Sequence, residues 1–334
     1  MQNRRFLFRV DAGGKAGLGH FYRSLHLAHE LKDRGHIIEF LHRPSDFWNQ
    51  LKPFDFRHMS FKSDDENKET LDCLLRGNFD TLYVDGILDF EEGSFYKIKK
   101  LVKVVFYQNL SSARYLADIF ILPSIHQDAE FFDAFNADTK IFRGLEYFMF
   151  NKNIMSVGAK GFDSPKKVCQ VAIISGGSDP ENVLLRLYQM IDHKRFDPIG
   201  FTYFLGTDYM HADSIPLKYT ANVRFASYDV KEILRHDLLL SAFGVSTYEF
   251  MYLGMPVLSF GHQQSNSLAS QILAGKTGAV FHLGYIKEMD AALLNDQLST
   301  FIDRGELRQN LLEKSKALLD LKGVQRVANI LENE

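Results

Sequence analysis

The sequence predicts an α/β protein with two doubly wound parallel-sheet domains in tandem. Three observations carry that expectation. At 334 residues the chain exceeds one ordinary core and suits two domains of about 150 residues. Its apolar runs are continuous rather than alternating, as expected of strands covered on both faces. Each half also places a Gly-rich turn after its first strand: Gly17-Leu18-Gly19-His20 and Gly176-Gly177-Ser178-Asp179.

The first predicted strand covers residues 5–11, followed by a turn over 12–19. A helix over 20–34 then carries an apolar stripe of Phe21, Leu25, Leu27, Ala28 and Leu31, with Gly35 as its C-cap. A second strand over 37–41 completes a βαβ opening. Further strands are expected at 81–84, 103–107 and 119–122, with helices at 64–76 and 90–101. The pattern relaxes between 150 and 167, the expected linker.

A second series starts with a strand at 168–174 and a helix opened by Pro180 at its first position. Strands at 199–205, 223–226, 237–242, 256–260 and 279–283 follow, with helices at 230–235, 247–253 and 262–274. Terminal helices are expected at 289–304 and 306–331. The predicted domains are 1–155 and 165–315, with a terminal helical segment, 316–334, packing back toward the first.

Bulk properties exclude several classes. A net charge of -3 gives no basic footprint for nucleic acid or an anionic membrane. The 29 Phe residues are spread along the chain and form no base-stacking motif. No apolar run approaches the roughly 18–20 residues that span a bilayer. Met1 to Arg5 leads straight into a strand, without the apolar core of a signal peptide. The two cysteines, Cys73 and Cys169, lie far apart, which argues against a disulfide framework and for a cytoplasmic location.

Four turns at predicted strand ends are candidate sites, because ligands of open α/β sheets bind beyond the carboxyl ends of the strands. In the first, Asp11 to His20, glycines allow close backbone approach and the helix N-terminus favours phosphate. Its alternative reading is a tight turn with a solvent-facing His20. His20 and Arg23 occupy positions where a dinucleotide fingerprint wants small residues, and the chain has no Gly-Lys-Ser/Thr phosphate loop.

The second is Gly176-Gly177-Ser178-Asp179, with Asp179 well placed as an N-cap. The third is Ser246-Thr247-Tyr248-Glu249. Glu249 could accept from paired ribose hydroxyls, but the spacing taken alone favours a capping box with Ser246. The fourth is His262-Gln263-Gln264-Ser265-Asn266. Asp85, at a strand end before Gly86, is a weaker candidate. His26 and His29 lack a third ligand, so no metal site is expected.

Taken in order, these residues resemble the PseG/SpsG family, which includes the UDP-2,4-diacetamido-2,4,6-trideoxy-altropyranose hydrolase of pseudaminic acid biosynthesis. The matching stretches begin with Phe8-Arg9-Val10-Asp11, Gly17-Leu18-Gly19-His20 and Arg23 to Ala28. Val84-Asp85, Phe142 to Tyr147 and Gly176 to Pro180 follow. Ser246-Thr247-x-Glu249, Gln263 to Ala269 and Gly323 to Val327 complete the order. Two positions depart from the usual pattern: Gly86-Ile87 stands where His-Tyr is common, and His262-Gln263 where Asn-Gln is usual.

The resemblance implies the GT-B fold of MurG-like glycosyltransferases, two Rossmann-like domains facing a central cleft. It implies hydrolysis of the anomeric C–O bond of a UDP-activated deoxy amino sugar, with inversion, release of UDP and neither metal nor cofactor. His20 is the implied base. Gly17, Gly19, Arg23, Asp85, His262, Gln263 and Asn266 would hold the sugar side, and Gly176, Gly177, Ser178, Ser246, Thr247 and Glu249 the nucleotide.

The alternative is a glycosyltransferase of the same fold, with a saccharide, protein or lipid acceptor in place of water. Phe47-Trp48 near Leu51 is then a hint of a surface for peripheral membrane contact. A non-catalytic sugar-nucleotide-binding protein is a third reading, against which His20 argues.

Overall fold

The computed structural model describes residues 3–13, 18–86, 88–164 and 167–334. The chain forms two compact units: Met1–Lys152 with Asp320–Glu334, and Asn153–Leu319. Gly17 and Ile87 lie outside the described residues.

Among the described residues the first unit holds a seven-stranded sheet. Its strands are β1 (Arg5–Val10), β2 (Ile37–His42), β3 (Arg57–Ser60), β4 (Thr81–Asp85), β5 (Lys103–Tyr107), β6 (Ile119–Leu122) and β7 (Lys140–Arg143). Their spatial order is β3-β2-β1-β4-β5-β6-β7, and every pairing is parallel. The order reverses between β1 and β4, where Val10 pairs with Asp85. Strand ends that diverge at such a point leave a crevice for a ligand.

The second unit repeats the plan with β8 (Gln170–Ile174), β9 (Gly200–Leu205), β10 (Val223–Ser227), β11 (Leu238–Ala242), β12 (Val257–Gly261) and β13 (Phe281–Tyr285). Their order is β10-β9-β8-β11-β12-β13, again parallel, reversing between β8 and β11. Two parallel sheets with interleaved helices are the architecture that the continuous apolar runs predict.

Core packing follows from those runs. Phe8, Phe21, Phe40, Trp48 and Phe56 are buried together on one face of the first sheet, and Val324, Val327, Ala328 and Leu331 of the terminal helix Gly323–Asn333 join them. That helix is also fastened by polar contacts, with His36 Nε2 2.8 Å and Arg34 Nη1 2.6 Å from the Glu332 carboxylate. The opposite face buries Leu7, Leu82, Phe95, Phe106 and Phe120.

The structure corrects several element boundaries. The edge strands β3 and β7 were not expected, because Arg57-His58-Met59-Ser60 and Lys140-Ile141-Phe142-Arg143 are short and half polar. The single terminal helix predicted over 306–331 is two, Gly305–Leu318 and Gly323–Asn333. Within 150–167 a short helix, Lys152–Val157, is present. Phe47-Trp48 is no exposed patch: Trp48 is 3% exposed and stacks on His42 with centroids 3.7 Å apart. Among the described residues no helix is long and apolar enough to cross a membrane.

Candidate active site

The helix Gly19–Asp33 starts just beyond the end of β1, and Asp85 is the last residue of the neighbouring β4. Helical spacing puts His20, Arg23 and Ser24 on the side facing that strand end. All three converge on the Asp85 carboxylate. His20 Nδ1 lies 2.9 Å from Oδ1, Arg23 Nε donates to Oδ2 at 2.7 Å, and Ser24 Oγ donates to Oδ2 at 2.9 Å. Arg23 Nη2 also donates to Oδ1. The guanidinium lies over the Tyr107 ring, 4.8 Å from its centroid.

Asp85 is 1% exposed. Burial alone would push its pKa up, but the charge and hydrogen bonds of Arg23, with the His20 contact, outweigh it and hold the carboxyl below its usual range. An ionised Asp85 only accepts hydrogen bonds, and a guanidinium only donates. Asp85 Oδ1 calls for a proton on Nδ1, whereas Arg23 Nη2, 2.7 Å away, can only donate to a bare Nδ1, so the two contacts favour opposite tautomers of His20. In the tautomer that donates to Asp85 the lone pair is on Nε2, which has no hydrogen-bond partner among the described residues. The His20 side chain is 30% exposed. A carboxylate that orients an imidazole and leaves Nε2 free is an arrangement for general-base chemistry.

Two backbone features frame this group. Gly86 has φ +115, and an added Cβ would lie 3.7 Å from the His20 ring, so a side chain there would be strained beside the imidazole. Gly19, the first helical residue, has open space where a Cβ would go. Gln108, which the sequence reading missed, follows β5 and accepts Arg23 Nη1 on its Oε1 at 2.8 Å. The signal that flagged Asp85, a polar residue at a strand end, applies to it equally.

In the second unit, the turn after β8 carries Gly176 at φ +107. Its carbonyl groups are engaged from behind: Gly177 O accepts from Asp208 N at 3.1 Å and Ser178 O from Met210 N at 3.3 Å. The amide N–H groups of Gly177 and Ser178 have no acceptor among the described residues. Asp179 is 3% exposed and accepts from Val183 N, Leu184 N and Ser175 Oγ at 2.8–2.9 Å. The N-cap position is Asn182 rather than Asp179, whose carboxylate accepts the first two amides of a helix that starts at Val183 rather than at Pro180.

His262 and Gln263 join residues 175–181 around a pocket of about 190 Å³. Burial pulls the His262 pKa down against the opposing charges of Glu181 and Asp179. Its Nδ1 is buried without a partner among the described residues. Asn266 is turned inward, its Nδ2 donating to Phe243 O at 3.3 Å.

The third turn resolves an ambiguity of spacing. The helix Val245–Tyr252 has Gly244 at its N-cap, two residues before Ser246. Thr247, fully buried, uses its Oγ1 to accept from Gly244 N and donate to Ala242 O, each at 3.3 Å. Its side chain supports the turn. The expected capping box is therefore absent. The Glu249 carboxylate, in a residue 7% exposed, has neither a hydrogen bond nor a cation among the described residues. Burial pushes its pKa up to about 7.

No family model matches the chain. It is 22% identical to the spore coat polysaccharide biosynthesis protein SpsG of Bacillus subtilis over 342 residues, covering 97% of this chain and 96% of that protein. It is 25% identical over 266 residues to protein MJ1062 of Methanocaldococcus jannaschii, covering 75% of this chain and 54% of that one, so it spans about half the length of that relative.

Among solved structures, Acinetobacter baumannii MurG superposes with TM-score 0.70 at 12% identity, covering 99% of this chain and 100% of that one. A glycosyltransferase from Rickettsia africae does so with TM-score 0.67 at 14% identity, covering 100% of both. The chain thus resembles SpsG along nearly its whole length, and its fold is the GT-B fold of the MurG-like glycosyltransferases.

Proposed function

We propose that this chain is a sugar-nucleotide-processing enzyme in which the second unit holds UDP and the first supplies the base. The observation that carries the reading is the His20–Asp85–Arg23 group, which leaves Nε2 of His20 free at the end of β1 and β4. In the proposed step, an oxygen nucleophile loses its proton to Nε2 as it attacks the anomeric carbon. The C–O bond to the β-phosphate breaks, and UDP leaves with the bonding electrons. A single displacement of this kind inverts the anomeric centre.

The free amides of Gly177 and Ser178, and the helix N-terminus at Ser246, suit the charge gathering on the departing pyrophosphate. Glu249 suits the ribose, whose vicinal hydroxyls would give its carboxylate the donors it lacks. Two comparisons support this reading. SpsG is a polysaccharide biosynthesis protein by name. Arabidopsis thaliana UGT89C1, of the same fold, has been solved in complex with UDP-L-rhamnose.

The nucleophile separates two finer readings. The ordered motif set supports water, hence hydrolysis of a UDP-activated amino sugar without a metal ion. The structural neighbours, glycosyltransferases by name, support an acceptor hydroxyl. Purified protein is therefore incubated with a panel of UDP-sugars, with and without saccharide acceptors, and UDP release is followed. Release without acceptor is expected of the hydrolase. Release only with acceptor establishes the transferase, and none with either contradicts the reading.

A further inference from the structure

Gln108 is held in an unusual way. Its φ of +52 is in the left-handed region, which a residue other than glycine adopts only when its surroundings impose it. Three contacts impose it here. Its N–H continues the sheet by donating to Ile121 O at 2.9 Å. Its Oε1 accepts from Arg23 Nη1 at 2.8 Å. The next residue, Asn109, is fully buried and tied on both sides: its Nδ2 donates to Leu88 O at 2.9 Å, and its Oδ1 accepts from Ser111 N at 2.8 Å.

The contact with Arg23 also settles which way the carboxamide points. A guanidinium only donates, so the oxygen faces Arg23 and the NH2 group points away from it. Nothing among the described residues accepts from that NH2 group, and Gln108 is only half buried. The same guanidinium that holds this carboxamide through Nη1 lies 2.7 Å from the His20 ring through Nη2. Two free donors are thus fixed one guanidinium away from the proposed base. With its oxygen occupied, the side chain recognises only acceptors.

Resting on the sugar-nucleotide reading above, we propose that Gln108 is a specificity-determining residue. Its NH2 group donates to an exocyclic oxygen of the bound sugar, a hydroxyl or the carbonyl of an N-acyl group, and so helps select which sugar nucleotide is processed.

The test is a titration followed by NMR on the 15N-labelled full chain. The Gln108 NH2 signals are assigned by their absence in Gln108→Glu, which keeps an acceptor for Arg23 but has no donors. Gln108→Gly, which relieves the left-handed backbone, serves as a second variant should the first be unstable. The probes are UDP, UDP-glucose, UDP-galactose and their N-acetylated amino-sugar counterparts.

The Gln108 signals are expected to move with at least one UDP-sugar and not with UDP. Both variants should lose roughly tenfold in affinity for that UDP-sugar while binding UDP as the wild type does. If UDP binds but no sugar nucleotide moves these signals, or if Gln108→Glu keeps the wild-type preference for sugar nucleotide over UDP, the proposal is overturned. A wild-type chain that binds neither UDP nor any UDP-sugar overturns the underlying reading of the second unit, and Gln108 with it.

Discussion

Two buried carboxylates show how differently one residue class is used in this chain. Asp85 is surrounded by donors and stays ionised; Glu249 has none among the described residues, and burial pushes its pKa up to about 7. A buried carboxylate without partners is costly when charged, so such a group is an indication of ligand binding. This gives Glu249 a pH signature. If its carboxylate receives the ribose hydroxyls, UDP affinity should fall by up to about tenfold per unit as pH drops below 7. Glu249→Gln should flatten that dependence, which isothermal titration between pH 5.5 and 8.5 would show.

The same group bears on stability with the opposite sign. The folded chain keeps a proton on Glu249 up to about pH 7, whereas an ordinary glutamate loses it near 4.5. The stability this contributes is complete below 4.5 and is lost as pH rises through 7. Glu249→Gln should therefore stabilise the free protein at pH 8 by up to about 3 kcal/mol, and by little at pH 4.5. Urea denaturation at both values measures this. Equal stabilities at pH 8 would mean that the carboxylate is solvated after all.

At the scale of elements, strand ends and helix starts decide where chemistry is placed. Legibility in the sequence followed burial. The central strands β1, β4, β5, β8 and β11 are buried on both faces and announce themselves as apolar runs. The edge strands β3 and β7 have solvent on one side, and their mixed sequences carry no such signal. The helix start near Ser246 shows another limit. Ser-x-x-Glu spacing favours a capping box, and only the position of Gly244 at the N-cap overturns it.

Gln108 carried the same strand-end signal as Asp85, but nothing in the sequence announces its left-handed backbone. The terminal helix offers a test at this scale. Gly323 begins it so close to the preceding chain that an added Cβ would lie 2.0 Å from Phe148 O. Gly323→Ala should therefore cost about 1–3 kcal/mol by displacing the helix from the core of the first unit, lowering the thermal midpoint. An unchanged midpoint would mean that the helix packs there only loosely.

Over the whole molecule, the same plan is used twice with different polar groups at the strand ends. The first unit presents an oriented imidazole at its strand-order reversal. The second presents amides and a carboxylate that have no partner among the described residues. That division was partly readable: the Gly-rich turns, His20 and Glu249 stood out by type and position, while the Asp85–Arg23 pairing that orients His20 needed three-dimensional neighbours 62 residues apart.

We propose that His20 acts as a base on the reacting sugar and not in binding the nucleotide. The direct measurement pairs UDP affinity with UDP-sugar turnover in His20→Ala, using the substrate found active with the wild type. UDP affinity should stay within about twofold of wild type, and kcat should fall by on the order of 10²–10⁴. Turnover that survives in His20→Ala, or is lost only in step with UDP binding, would contradict it.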